Sequence, residues 1–164
     1  LEIGGIEMHR LALGQVFRIG DGGEPVGNFV DSLVIDIGGD ASVQMTIQEM
    51  SAAVQHEAPI KIFILNNQYM GMVRQWQQLL HGNRLSHSYT EALPDFVKLA
   101  EAYGHVGIRI TDPKELKSKM AEAFAMKDRL VFLDIAVDTS EHVYPMQIRG
   151  GAMRDMWLSK TERT

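Results

Sequence analysis

Four short apolar runs alternate with stretches of helical periodicity from Asp31 onward, and this alternation constrains the fold more than any other feature. Leu33-Val34-Ile35-Asp36-Ile37, Ile60–Leu65, His105–Ile110 and Leu130–Val137 have the length and β-branched content of buried strands. After the first run, Val43, Ile47, Met50 and Val54 recur on one helical face. Thr46 and Glu49 form a capping-box pattern, which starts that helix between Ser42 and Thr46, and Pro59 ends it. A short helix is predicted from about Met72 to His81, followed by a polar loop to Glu91. Pro94 opens another helix, with Phe96, Leu99, Ala100 and Tyr103 on one face and Gly104 as its stop. Pro113–Lys127 is amphipathic through Leu116, Met120, Ala123 and Phe124. Strands alternating with helices imply an α/β fold, a parallel sheet covered by helices on both faces. Ligands of such sheets sit at the carboxyl ends of the strands. Asp40 and Asn67 each lie just past a strand end, so they are expected on the same edge.

Residues 1–30 form a divergent N-terminal segment of uncertain structure, ahead of a regular domain over 31–164. Val16-Phe17-Arg18-Ile19 suits a short strand, and Gly20-Asp21-Gly22-Gly23-Glu24-Pro25 is a dense turn signal. A net charge of −5 disfavours nucleic acid, because no excess of Lys and Arg awaits phosphates. No apolar run approaches the roughly 18–20 residues that span a bilayer, so no membrane partner is expected. The absence of cysteine removes disulfides, thiolate zinc sites and cysteine nucleophiles, and is compatible with a cytoplasmic location. The first residues carry no basic and apolar signal pattern, and Leu1 in place of Met suits a fragment or a processed product.

Asp40 and Asn67 stand 27 positions apart (67 minus 40), with one helix of crossover length between them. On neighbouring strands, their oxygens can converge on one hard cation. Mg²⁺ takes about six oxygens and commonly draws only one or two from protein, with phosphates supplying others. Gly39, Ala41 and Ser42 are small enough to let phosphate oxygens approach the backbone near a helix start. These parts describe a metal–diphosphate site. The more literal Gly20-Asp21-Gly22 is expected to be a glycine turn, since Asp21 is 46 positions from Asn67 (67 minus 21) and Pro25 blocks an early helix behind it.

Gly39-Asp40-Ala41-Ser42 followed by Asn66-Asn67 resembles the thiamin-diphosphate-binding motif, and with it the thiamin-diphosphate-binding (pyrophosphate domain) fold. The stretch from Phe63 to Gly104, above all Gly71-Met72-Val73-Arg74-Gln75-Trp76, is similar to the catalytic subunits of acetolactate synthases. The likeness covers roughly 31 to 138 and extends through Val143-Tyr144-Pro145-Met146. It implies a transferase of branched-chain amino acid biosynthesis that decarboxylates pyruvate and condenses it with a second 2-keto acid to an acetohydroxy acid. It implies Asp40, Asn67 and the Tyr69 carbonyl as Mg²⁺ ligands. It places Gly39, Ala41, Ser42, Met70, Gly71 and Met72 around thiamin diphosphate, and Val73 and Trp76 on the substrate channel.

The resemblance also implies what this stretch lacks. Ala41 stands where the third glycine of the motif is usual, a change of one methyl group. The glutamate that activates the cofactor lies in another domain of the family, so no catalytic residue is expected in this chain. FAD binds a further domain that has no counterpart here. Partners are therefore the remaining domains or a second subunit, in an enzyme expected to be a homo-oligomer. The alternative is a non-catalytic, truncated or rearranged module that keeps the fold and Mg-diphosphate binding. Asp40 also suits a capping role, and Asn66-Asn67 a simple turn. Trp76, between Gln75 and Gln77, is expected to be partly exposed. His87 and His105 suit surface or loop positions, and Met45, Met50 and Met120 suit core filling.

Overall fold

The computed structural model describes the backbone of residues 2–3, 6–11 and 14–19, and residues 33–147, 150–152 and 154–159. The chain divides into two compact units, Leu1–Gln68 with Glu91–Val137, and Tyr69–Thr90 with Asp138–Thr164.

The first unit is built on a sheet whose four parallel strands are β4 (Leu33–Gly39), β5 (Ile60–Asn66), β6 (Val106–Ile110) and β7 (Val131–Ala136). They lie in the order β4-β5-β7-β6. The apolar runs become strands because both their faces are covered, which suits β-branched residues throughout. In one face, Ile62, Ile64 and Phe132 pack with Val43, Met50, Ala53, Phe96 and Ala100 from the helices α1 (Asp40–Gln44), α2 (Glu49–Gln55) and α4 (Phe96–Ala102). In the other, Phe63, Ile108, Ile110, Val131 and Leu133 pack with Ala123, Leu116, Met120 and Phe124 of α5 (Leu116–Ala125). The α/β architecture expected from the alternation is the one observed.

The edge beyond β4 carries an addition. Strands β1 (Glu2–Ile3), β2 (Ile6–Leu11) and β3 (Gly14–Ile19) pair antiparallel in succession. β3 then pairs antiparallel with β4, Gln15 opposite Ile37 and Ile19 opposite Leu33. Val16–Ile19 thus lies in β3, while Gly20-Asp21-Gly22 falls outside the described residues.

Several local expectations are corrected. The helix after β4 starts at Asp40 and is interrupted by a turn at residues 45–48. The Thr46–Glu49 capping box does not form. Gln48 is the N-cap of α2 without a side-chain bond, and the Thr46 Oγ1 is buried with no partner. The apolar stripe ends on Ala53, leaving Val54 exposed, and Met45 is 75% exposed rather than core. His105 precedes β6 and is buried, its Nε2 3.1 Å from the Met50 carbonyl. Pro94 lies before the N-cap of α4. Asp95 fills that role, accepting from the Val97 and Lys98 N–H groups. Close packing of α4 explains Gly107, where a Cβ would stand 2.6 Å from the Val97 Cα.

In the second unit, α3 (Gly71–Leu80) is followed by a chain that pairs Tyr69 with Tyr89 in an antiparallel bridge. A small ladder joins β8 (Met146–Gln147) to β9 (Met156–Trp157). Among the described residues no helix is long and apolar enough to cross a membrane.

Candidate functional site

β4 and β5 are adjacent and parallel, with Gly39 opposite Leu65, so Asp40 and the Asn66-Asn67 pair leave the sheet at the same edge. Gly39 is extended, at φ −87° and ψ 166°, and serves as the N-cap of α1 without a side-chain bond. A Cβ added to it would meet only Ser42 Oγ, at 3.7 Å. The protein's own packing therefore does not demand a glycine here.

Asp40 is the first residue of α1 and is 1% exposed. Its Oδ1 accepts the Ala41 N–H at 2.8 Å. Its Oδ2 is buried with no hydrogen-bond partner. Burial raises its pKa, opposed by the Ala41 N–H bonded to Oδ1 and by the field of the Gln68 N–H, which makes no hydrogen bond to the carboxylate, and the charge of Asp134 adds to the rise. A capping aspartate accepts from the second or third N–H of its helix, whereas Asp40 is already helical and accepts from its immediate neighbour. Capping leaves Oδ2 unexplained. A buried carboxylate oxygen without a donor is costly unless something electropositive meets it.

The end of β5 is held from two sides. The Asn66 carbonyl accepts the Val137 N–H at 3.1 Å, and its Nδ2 donates to Asp134 Oδ1 at 3.0 Å. Asn66 Oδ1 is buried without a partner. Asn67 follows, half-buried, and Gln68 takes a left-handed conformation at φ 60° that turns the chain away from the strand. Two acceptor oxygens thus lie buried and unmatched at the ends of neighbouring strands. A hard cation takes carboxylate and amide oxygens, the types that Asp40 and Asn67 carry at this edge of the sheet. Among the described residues there is no group of three or more His, Cys, Asp or Glu side chains placed to hold a metal.

The remaining predicted positions belong to the second unit. The Tyr69 ring packs tilted against Tyr89, with centroids 5.1 Å apart and planes at 51°, and the Arg74 guanidinium lies 4.4 Å from the Tyr69 ring centroid. The Met70 N–H donates to the Ser88 carbonyl at 2.8 Å. Met70, Met72 and Val73 are exposed around the start of α3, and Trp76 is half-buried, as expected. Its neighbour Gln75 is fully buried, which sequence reasoning missed. Its Oε1 accepts the Val143 N–H at 2.8 Å and its Nε2 donates to the Val143 carbonyl at 2.9 Å.

Also missed were Asp134 and Arg109, each the charged residue inside an apolar run, which is the one signal that could have found them. Arg109 Nε donates to Asp134 Oδ2 at 3.1 Å and Nη2 to Asp95 Oδ1 at 2.7 Å.

The family model for the thiamine pyrophosphate enzyme C-terminal TPP binding domain matches residues 25–135. The chain belongs to this family. As a thiamine pyrophosphate-binding domain it is 59% identical over 136 residues to the acetolactate synthase isozyme 3 large subunit of Escherichia coli (strain K12). That match covers 82% of the chain and 24% of the relative. The acetolactate synthase large subunit of Haemophilus influenzae is 58% identical over 132 residues, 80% of the chain and 23% of the relative. The mitochondrial acetolactate synthase catalytic subunit of Saccharomyces cerevisiae is 46% identical over 129 residues, 79% of the chain and 18% of the relative. The domain spans about a quarter or less of the length of these relatives.

Proposed function

We propose that the chain is the cofactor domain of an acetolactate-synthase-like carboligase, which condenses pyruvate with a second 2-keto acid to an acetohydroxy acid. The observation that carries this reading is the buried, unmatched Oδ2 of Asp40 beside the end of β5, in a domain of the thiamine pyrophosphate family. Asp40 and the Asn67 side chain, with the Tyr69 carbonyl, hold Mg²⁺. Gly39, Ala41 and Ser42 let the diphosphate approach the start of α1. Met70, Gly71 and Met72 flank the cofactor, and the exposure of Met70 and Met72 supports an apolar contact there. Val73 and Trp76 line the way for substrate.

Bound thiamin diphosphate supplies the carbanion chemistry that decarboxylation and carbon–carbon bond formation need. The chain's own task is to bind and orient. Asp40 contributes charge to the metal, the amide of Asn67 contributes a neutral oxygen, and small residues keep side chains out of the diphosphate's path. The activating glutamate and the FAD site belong to other domains of the assembled homo-oligomer, which works in the cytoplasm on branched-chain amino acid precursors.

Calorimetry of thiamin diphosphate binding, with and without Mg²⁺, tests the reading. Binding that requires Mg²⁺ and is lost in Asp40→Ala is expected. Equal binding by native and Asp40→Ala chains removes Asp40 from the site. The 164-residue chain alone is expected to form no acetolactate from pyruvate with thiamin diphosphate, Mg²⁺ and FAD. Turnover by the purified chain overturns the assignment of activation to another domain.

A further inference from the structure

Four side chains of the first unit form a continuous polar line that ends at the residue before Asn67. Asp95 caps α4 and accepts from Arg109 Nη2 at 2.7 Å. Arg109 of β6 gives its Nε to Asp134 of β7 at 3.1 Å. The other oxygen of Asp134 accepts Asn66 Nδ2 of β5 at 3.0 Å. The sheet register makes this geometry available. Arg109 is paired with Asp134, and Asn66 is paired with Ala136, two positions along the same face of β7 from Asp134.

The line has a direction. Only the NH₂ of the Asn66 amide can face the Asp134 carboxylate, so Oδ1 is turned the other way, where it is buried without a partner. Asp134 is 4% exposed, and Arg109 is the cation that compensates it. Both oxygens of Asp134 are therefore assigned, one to Arg109 and one to Asn66. With its carbonyl bound to the Val137 N–H as well, Asn66 is held at main chain and side chain. The left-handed turn through Gln68 starts one residue later.

We propose that Arg109, acting through Asp134, is a positioning residue for the Asn66-Asn67 turn, and through it for the metal–diphosphate centre. This rests on the reading of Asp40 and Asn67 as metal ligands. Arg109 touches none of the ligands. It sets the place from which Asn67 projects, as residues behind a metal ligand commonly do. Its planar fork reaches two carboxylates at once, which a lysine ammonium cannot reproduce with the same geometry.

The test uses the 164-residue chain and two measurements. The first is Mg²⁺-dependent thiamin diphosphate binding by calorimetry. Arg109→Gln is expected to weaken it by roughly 10–100-fold. Arg109→Lys is expected to recover part of the loss, and Asp95→Asn, which keeps the cap, to lose less than Arg109→Gln. The second is the nuclear magnetic resonance of the Asn66 side-chain amide without any ligand. One slowly exchanging NH₂ pair is expected in the native chain, and fast exchange in Arg109→Gln. Native-like binding by Arg109→Gln while Asp40→Ala abolishes binding overturns the positioning role and leaves the metal reading intact. Equal binding by native and Asp40→Ala chains overturns the metal reading, and the positioning of the centre falls with it. An Asn66 amide unchanged by Arg109→Gln overturns the positioning role whatever the binding shows.

Discussion

The Asn66 side chain donates to Asp134 at 3.0 Å, across 68 positions of sequence, and so ties the carboxyl end of β5 to β7. A bond of this kind is strong because one partner is ionised, and it is specific because the partners come from strands whose register is fixed elsewhere. Buried polar residues elsewhere in this unit are held differently, and they yield measurable consequences.

Asp36 lies in β4, 3% exposed, with neither carboxylate oxygen bonded. Burial pushes its pKa up to about 6, against the field of the Ile37 N–H, which lies outside hydrogen-bond geometry. The native state therefore holds a proton that the unfolded chain releases nearer 3.8. The contribution of Asp36 to stability is full below that value and is lost as pH rises through about 6, by about 3 kcal/mol. Denaturant midpoints at pH 5 and 7.5 should differ less in Asp36→Asn than in the native chain. An unchanged difference rules this out.

Lys61 is fully buried in β5 and donates to the carbonyls of Met126 and Arg129, both at 2.7 Å, just past α5. Burial lowers its pKa from 10.5 to about 8. Between those values the unfolded chain binds the extra proton, so the Lys61 contribution rises with pH across this window, by about 3 kcal/mol. Unfolding free energies measured between pH 8 and 10.5 should show that rise in the native chain and a smaller one in Lys61→Met. The same slope in both would exclude Lys61 as its source.

Gly107→Ala should destabilise the chain by about 1–3 kcal/mol, since the new methyl group would collide with the α4 backbone at Val97. Backbone cannot swing aside as a side chain can. A thermal midpoint within 1 °C or so of the native value would contradict this, given roughly 2–4 °C per kcal/mol for domains of this size.

In the second unit, Gln75→Leu should free the Val143 amide, which loses its acceptor, the Gln75 Oε1. Val143 itself is exposed, so the loss is that of one ordinary hydrogen bond, about 0.5–1.5 kcal/mol, and amide exchange at Val143 should accelerate by roughly 2–10-fold. Unaltered exchange would show that the tail is held by other means.

The strands and the two ends that matter were readable because burial on both faces leaves a largely apolar run, and because glycine or asparagine closes two of those runs. The break at residues 45–48 was not, since neither Gly nor Pro marks it and the stripe Val43, Ile47, Met50, Ala53 continues through it. His105 was misjudged, and the burial of Gln75 missed, for a different reason. A polar side chain is buried when a partner waits for it, and those partners, Met50 and Val143, lie 55 and 68 positions away. Asp40 and Asn67 could be paired by spacing alone, whereas the Arg109–Asp134 link behind them depends on a strand order that spacing does not reveal.

That strand order has a consequence for the growing polypeptide. β7 lies between β5 and β6 but is made after both. While the ribosome is still adding residues 111–130, β5 has one bare edge and β6 has no sheet neighbour at all. The sheet closes only when its last parallel strand slides into the middle, so those edges stay open at least until α5, the turn behind it and β7 itself have been made.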